Sequence, residues 1–179
     1  MNSYLTQPLD PQRHDRESFA SGVRQVDNFF RKTANKLARA HNARTFVVEG
    51  GGDAVLGFYT LNAFSIHYAD LPERYARDRP GHGTIPAAFI AMIGVDARHQ
   101  GQGLGRDLLL DCLARIADIE RTIGLAVVVL DVLDCGDPVA VARRATFYTA
   151  LGFAALSMQP LRMILPTASL RGLFGDKGV

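Results

Sequence analysis

Arg98-His99-Gln100-Gly101-Gln102-Gly103-Leu104-Gly105 stands between an apolar run, Ala87 to Val95, and a helical pattern in which Leu108, Leu109, Cys112, Leu113 and Ile116 share one face. A strand, a glycine-rich turn and a helix in that order make an anion site. Glycine has no Cβ, so the main chain at positions 101, 103 and 105 can turn tightly and aim several N–H groups at one ligand. The helix that follows adds its unpaired first-turn N–H groups and the positive end of its dipole, which together favour a phosphate or pyrophosphate. Arg98 supplies a positive charge at the mouth. Spacing excludes two familiar loops. The dinucleotide fingerprint G-x-G-x-x-G fits Gly101 and Gly103 but needs glycine where Arg106 stands. The nucleoside-triphosphate loop G-x-x-x-x-G-K-[ST] fails at the same place and finds no lysine after it.

Working outward, Gly124 is expected to end the helix and Leu125 to Val132 reads as a second fully buried strand, so the pair predicts a right-handed crossover between parallel strands. Upstream, Thr45–Glu49 and Ala54–Ile66 flank Gly50-Gly51-Gly52-Asp53, a hairpin signal that starts the sheet antiparallel. Tyr68 to Pro86 holds Pro72 and Pro80, three arginines (Arg74, Arg77, Arg79) and Gly81-His82-Gly83, and is expected to be a mobile loop near the site. Downstream, Leu133 to Pro138 is a loop that leads into a helix over Val139–Leu151, stopped by Gly152. Phe153–Leu156 and Leu161–Leu165 read as short closing strands, and Ala168 to Val179 as a loosely held tail. The order predicts an α/β fold with a mixed sheet and helices on both faces.

The chain has 179 residues, 47% of them hydrophobic, enough to bury one core without a staple, so residues 1–179 are expected to form a single domain. Cys112 and Cys135 have neither the number nor the spacing of a disulfide framework or a zinc site, and no His, Asp, Glu or Cys pattern calls for a metal. Met1 to Arg16 is polar and no stretch approaches the ~20 apolar residues of a membrane helix. A soluble, cytoplasmic protein is expected. The net charge is only +2, yet no acid occurs between Asp27 and Glu49, where Arg31, Lys32, Lys36, Arg39 and Arg44 stand. The apolar residues Val26, Phe29, Phe30, Ala34, Leu37 and Ala38 recur there at helical spacing, with Asp27 or Asn28 as the expected N-cap and Asn42 as the stop. From charge alone a solvated basic face is the first reading and a contact with nucleic-acid phosphates the second.

The stretch R-x-x-G-x-G after a strand, with Ala145-Thr146-Phe147-Tyr148 and Gly152-Phe153 later in the chain, resembles the GNAT superfamily of acetyltransferases. The resemblance runs from about Phe19 to Pro166 and leaves 167–179 as tail. Within the superfamily the chain is most similar to the acetyltransferase toxins of toxin–antitoxin modules, through Ser21-Gly22 before the basic helix, Arg44-Thr45-Phe46-Val47, Gly57-Phe58-Tyr59-Thr60-Leu61 and Leu161-Arg162-Met163-Ile164-Leu165-Pro166. Those toxins more often carry Cys-Gly at the Ser21-Gly22 position, and the segment Asp134–Ala142 is richer in Gly and Pro than the pattern suggests. The resemblance implies a mostly antiparallel sheet with one parallel crossover around the glycine-loop helix, and acetyl-CoA as co-substrate. Arg98, His99, Gln100, Gly101, Gln102, Gly103, Leu104, Gly105 and Arg106 would hold the diphosphate, and backbone near Ile93, Gly94 and Val95 the pantetheine arm and acetyl carbonyl. It also implies Tyr148 as the group facing the CoA sulfur, aminoacyl-tRNA as acceptor, a homodimer, and a small ribbon-helix-helix antitoxin. Arg31, Lys32, Lys36, Arg39, Arg143 and Arg144 are the expected tRNA contacts.

Acetyl transfer from a thioester to an amine needs a neutral nucleophile and a proton for the departing thiolate. A tyrosine, with a phenol pKa near 10, can supply that proton at neutral pH. Ala87–Ile93 holds no carboxylate where many members of the superfamily carry a general base. A lysine amine, pKa about 10.4, would need such a base far more than an α-amine near 7.7, so an α-amine acceptor is favoured. Asp131, at the end of its strand, remains a possible base, although a carboxylate there equally suits capping the next loop; His67 and His82 are not assigned roles. Two rival functions stay open: acetylation of a small free amine, for which Glu73, Asp78 and Asp131 would have to line an acidic pocket, and acyl-CoA binding without turnover.

Overall fold

The computed structural model describes residues 5–75, 77, 81 and 83–174; Asp78, His82 and residues 175–179 of the expected tail lie outside them. The strands are β1 (Gln7–Pro8), β2 (Arg44–Glu49), β3 (Val55–His67), β4 (Thr84–Val95), β5 (Val127–Asp131), β6 (Ala154–Leu156) and β7 (Gln159–Pro166). The helices are α1 (Arg24–Asn28), α2 (Ala34–Arg39), α3 (Leu104–Glu120), α4 (Pro138–Ala150) and α5 (Ala168–Phe174). Among the described residues the seven strands form one sheet in the order β1-β2-β3-β4-β5-β7-β6. The pairs β1–β2, β2–β3, β5–β7 and β6–β7 are antiparallel, so the sheet is mixed α/β and mostly antiparallel, as expected. β4 and β5 are neighbours although α3 lies between them in the chain, which is the crossover the glycine loop predicts.

The chain forms two compact units, and each is described by itself. The first takes in the chain up to Asn62 and Ile90–Arg115. Its core is aromatic: Phe19, Phe30 and Phe58 are fully buried, with ring centroids 4.3 to 5.4 Å apart. Each such ring contributes about 1.5–3 kcal/mol by leaving water. Two glycines are set by packing and not by conformation. A Cβ at Gly94 would stand 2.6 Å from Val26 and 2.8 Å from Phe58, and one at Gly57 would stand 2.7 Å from Leu108. The hairpin falls where its glycines place it, with Gly52 and Asp53 at positive φ and Glu49 opposite Val55.

Three local expectations are corrected in this unit. Asp27 does not cap the helix, which starts at Arg24 behind Val23; the carboxylate instead accepts from the Ser21 amide and hydroxyl, both at 2.7 Å. The helix is also interrupted by a π-helical turn, Phe29–Thr33, and ends at Arg39 before His41 at positive φ, short of Asn42. The polar N-terminal stretch supplies β1, too short to leave a period in the sequence. A buried network anchors it: Asp111 accepts from Thr6 Oγ1 (2.6 Å) and Tyr59 Oη (2.8 Å), and Arg115 Nε donates to Tyr59 (2.9 Å) while its guanidinium lies 3.9 Å above Phe46. Burial pushes the Tyr59 phenol far above its ordinary range.

The second unit comprises Ala63–Phe89 and the chain from Ile116 onward. Its core joins Val127 and Val129 of β5 to Ile164 of β7, Leu156 of β6, and Ile66 and Ile85 of β3 and β4. The segment expected to be a mobile loop has short 3-10 turns at Tyr68–Asp70 and Glu73–Tyr75, and buries Leu71 and Tyr75 in that core. Its prolines and arginines hide those two apolar residues from a pattern reading. Likewise the expected loose tail begins with α5, whose Leu170 is buried. Thr167 fastens its start by donating from Oγ1 to Leu125 O at 2.6 Å.

Candidate active site

The glycine loop is built on the first unit. After β4, a 3-10 turn at Ala97–His99 leads to Gly101 and Gly103, with φ of 75° and 89°. These are left-handed values that L-residues rarely adopt, and α3 begins at Leu104 directly after them. A Cβ at Gly101 or Gly103 would meet nothing within 4 Å, so conformation alone requires glycine there. The amides before and after the loop are occupied. Ala97 N donates to Ala20 O, His99 N to Asp96 O, and the Arg106 and Asp107 amides to Gly103 O. Between them, among the described residues, the amides of 100–105 donate to no protein acceptor. Six N–H groups open at the start of a 17-residue helix fit a diphosphate, and the Arg106 amide drops out of the expected set.

Two predicted side chains are turned to another use. Arg98 grips Asp96 with two hydrogen bonds, Nε to Oδ1 at 2.8 Å and Nη2 to Oδ2 at 3.0 Å, so its charge is already matched although the side chain is 64% exposed. Asp96 is buried and also accepts from the Arg98 and Ala20 amides. The Arg98 hydrogen bonds outweigh the opposing effect of burial and hold the Asp96 carboxyl down at about 2. Gln100 points its amide back, donating from Nε2 to Ser21 O (2.8 Å) and Val95 O (2.9 Å). Gln102 makes only a long contact, 3.5 Å, to Arg98 O. His99 is partly exposed beside the turn. Sequence reasoning missed Asp96; its signal was an acid two residues before an arginine at a strand end, the pattern of a side-chain-capped turn. Ile93 and Val95 of β4 are partly buried, and Gly94 is buried.

In the second unit, Asp137 caps α4 by accepting from the Val139 and Ala140 amides, and Pro138 occupies its first turn as its preset φ favours. The helix ends before Gly152 at φ 94°. Tyr148 is 8% exposed and lies edge-on to Phe147 and Phe153, with centroids 5.3 and 6.1 Å away. Asp131 pairs across β5 and β7 with Arg162, both contacts at 2.8 Å, which engages the carboxylate considered as a base. Among the described residues no group of three His, Cys, Asp or Glu side chains is placed to hold a metal.

The basic positions separate into anchors and free charges. In the first unit Arg31 is partly buried in the π-helical turn and donates to Phe19 O, while its own carbonyl accepts from Arg16. Lys32, Lys36 and Arg39 are exposed. In the second unit Arg143 is exposed, whereas Arg144 donates to Leu133 O (3.3 Å) and Cys135 Sγ (3.1 Å). That donation lowers the Cys135 thiol from its ordinary range. Charge patterning alone does not distinguish these two roles, because an anchoring guanidinium and a free one look the same in sequence.

Comparison with known proteins matches residues 41–155 to the acetyltransferase (GNAT) domain. The chain is 58% identical over 172 residues to a probable toxin TacT of Sinorhizobium fredii, covering 96% of this chain and 95% of the relative. It is 32% identical over 162 residues to a tRNA-acetylating toxin of Mycobacterium tuberculosis, covering 90% and 92%. Among solved structures the fold matches AtaT complexed with acetyl-methionyl-tRNAfMet, with a TM-score of 0.81 at 22% identity over 96% of this chain and 99% of the other. It also matches a mutant AtaT toxin bound to the C-terminus of the antitoxin AtaR and acetyl-CoA, with a TM-score of 0.76 at 20% identity over 95% and 97%. A strand, a glycine loop with open amides and a matching family domain lead to one conclusion: this chain belongs to the GNAT family of acetyltransferases.

Proposed function

We propose that the protein is a toxin that transfers the acetyl group of acetyl-CoA to the α-amine of aminoacyl-tRNA and so blocks translation. The observation that carries the donor half is the row of open amides at 100–105, a seat for a diphosphate ahead of α3. The acceptor half is supported by the likeness to the tRNA-acetylating toxin along nearly the full length of both chains. The exposed Lys32, Lys36, Arg39 and Arg143 are suited to phosphate contacts. Arg31 and Arg144 then serve by holding backbone in place, through Phe19 O and Leu133 O.

In this mechanism backbone at Ile93, Gly94 and Val95 meets the pantetheine arm and acetyl carbonyl. The neutral α-amine attacks the thioester carbon, the ammonium of the tetrahedral adduct loses a proton to solvent, and as the C–S bond breaks Tyr148 gives its proton to the departing sulfur and is then reprotonated from solvent. The α-amine is partly neutral near pH 7, and the engagement of Asp131 by Arg162 fits a route without a carboxylate base. A cytoplasmic location, a homodimer and a ribbon-helix-helix antitoxin complete the proposal on the strength of the resemblance and of the AtaT–AtaR complex.

The test is incubation with labelled acetyl-CoA and either charged total tRNA or a panel of small amines. Label on the aminoacyl group supports the proposal. Label on a polyamine or aminoglycoside supports a metabolic acetyltransferase instead, and cofactor binding without transfer supports a non-catalytic protein.

A further inference from the structure

We infer that Gln100 and Asp96, clipped to the Ala20–Ser21 segment, are positioning residues that preset the glycine loop for the diphosphate of the acetyl donor. The inference rests on reading that loop as the donor's seat. Gly101 and Gly103 have positive φ and nothing within 4 Å of where a Cβ would be, so no packing holds the middle of the loop in shape. Its shape is therefore dictated by its ends. One end is fixed by Asp96, which accepts from the Ala20 amide (3.1 Å), and by Ala97 N donating to Ala20 O (2.8 Å). That same end is held a second time by Gln100, whose single NH2 group donates to both Ser21 O and Val95 O, and the far end is held at the start of α3, where the Arg106 and Asp107 amides donate to Gly103 O.

The bracket itself is firm. Asp27 holds Ser21 by its amide and its hydroxyl, each at 2.7 Å, and Phe19 is fully buried one residue before Ala20. A loop already held in its binding shape spends less of its interaction energy on ordering when ligand arrives. Arg98 belongs to the same device. With both contacts committed to Asp96, it stiffens the turn, and the phosphates are left to the amides.

The experiment compares wild type with Gln100→Ala, at an exposed position, and with Asp96→Asn, the fold of each checked by circular dichroism and thermal melting. Calorimetry reads the affinity for coenzyme A, and transfer assays on charged tRNA use acetyl-CoA or S-acetylpantetheine as donor, the second lacking the diphosphate. The expected result is a roughly 10-fold loss of coenzyme A affinity and a matching rise in KM for acetyl-CoA in Gln100→Ala, with kcat kept and transfer from S-acetylpantetheine unmoved. Unchanged coenzyme A affinity in both variants overturns the inference while leaving the acetyltransferase assignment standing. Equal losses with both donors also overturn it, because they report general damage. Wild type that does not bind coenzyme A at all removes the donor seat and the inference with it.

Discussion

Replacing Gly103 by alanine isolates what the loop's backbone contributes. Nothing lies within 4 Å of the new methyl group, so the change adds no collision; its whole cost is the φ of 89°. An L-residue held there costs about 1–2 kcal/mol. If the loop keeps its shape, that cost falls on folding and lowers the melting temperature by about 2–8 °C in a chain of this size. If φ relaxes to a negative value, the amides at 103 and 104 swing away from the ligand, and each charge-assisted hydrogen bond lost is worth about 1.5–3 kcal/mol. Affinity for coenzyme A should then fall by at least about 10-fold. Gly103→Asn should recover much of the loss, since asparagine tolerates the left-handed region better. The assays are calorimetric titration with coenzyme A and thermal melting of all three proteins. The reasoning is refuted if Gly103→Ala binds coenzyme A within twofold of wild type and melts at the same temperature.

Other outcomes follow from the same residues. Tyr148→Phe should bind coenzyme A normally and transfer acetyl about 100-fold more slowly, measured by single-turnover kinetics. Replacing Lys32, Lys36 and Arg39 by alanine should flatten the plot of log KM for charged tRNA against log salt by about 2, and an unchanged slope returns that face to plain solvated surface. Asp111→Ala strips the acceptor shared by Thr6 and Tyr59, and should destabilise the protein by about 2–4 kcal/mol in denaturant titrations. Because the Asp96 carboxyl is held at about 2 in the folded state, its contribution is complete above its ordinary value and is lost as pH falls from about 4 towards 2. The stability gap between wild type and Asp96→Asn should therefore narrow by about 2 kcal/mol over that interval, as read by denaturant titration at each pH.

Much of this architecture is legible in the sequence because its signals are local. The glycine loop between an apolar strand and an amphipathic helix, the Gly50–Asp53 hairpin and the Asp137-Pro138 helix start each depend on residues adjacent in the chain. What escapes depends on partners far away. β1 exists because Thr6 reaches Asp111, and Tyr68–Tyr75 folds into short turns because Leu71 and Tyr75 find a core built by β5 and β7. The site divides in the same way. Open amides follow from glycine spacing, and Arg98 answers to Asp96 only two residues away, but that Gln100 turns to Ser21 is decided by a contact across 79 residues, invisible to spacing. Arg31 shows the opposite hazard, since a basic residue on a basic face turns inward to a backbone carbonyl.

The most direct test of the central claim is a titration of isotope-labelled protein with coenzyme A, followed by amide nuclear magnetic resonance. Six N–H groups that close on a diphosphate should move downfield together, so the account predicts saturable shifts at residues 100–105 with coenzyme A and with adenosine 3′,5′-bisphosphate-free pantetheine no such shifts. Amides at 100–105 that stay in place while coenzyme A binds elsewhere on the protein would contradict it.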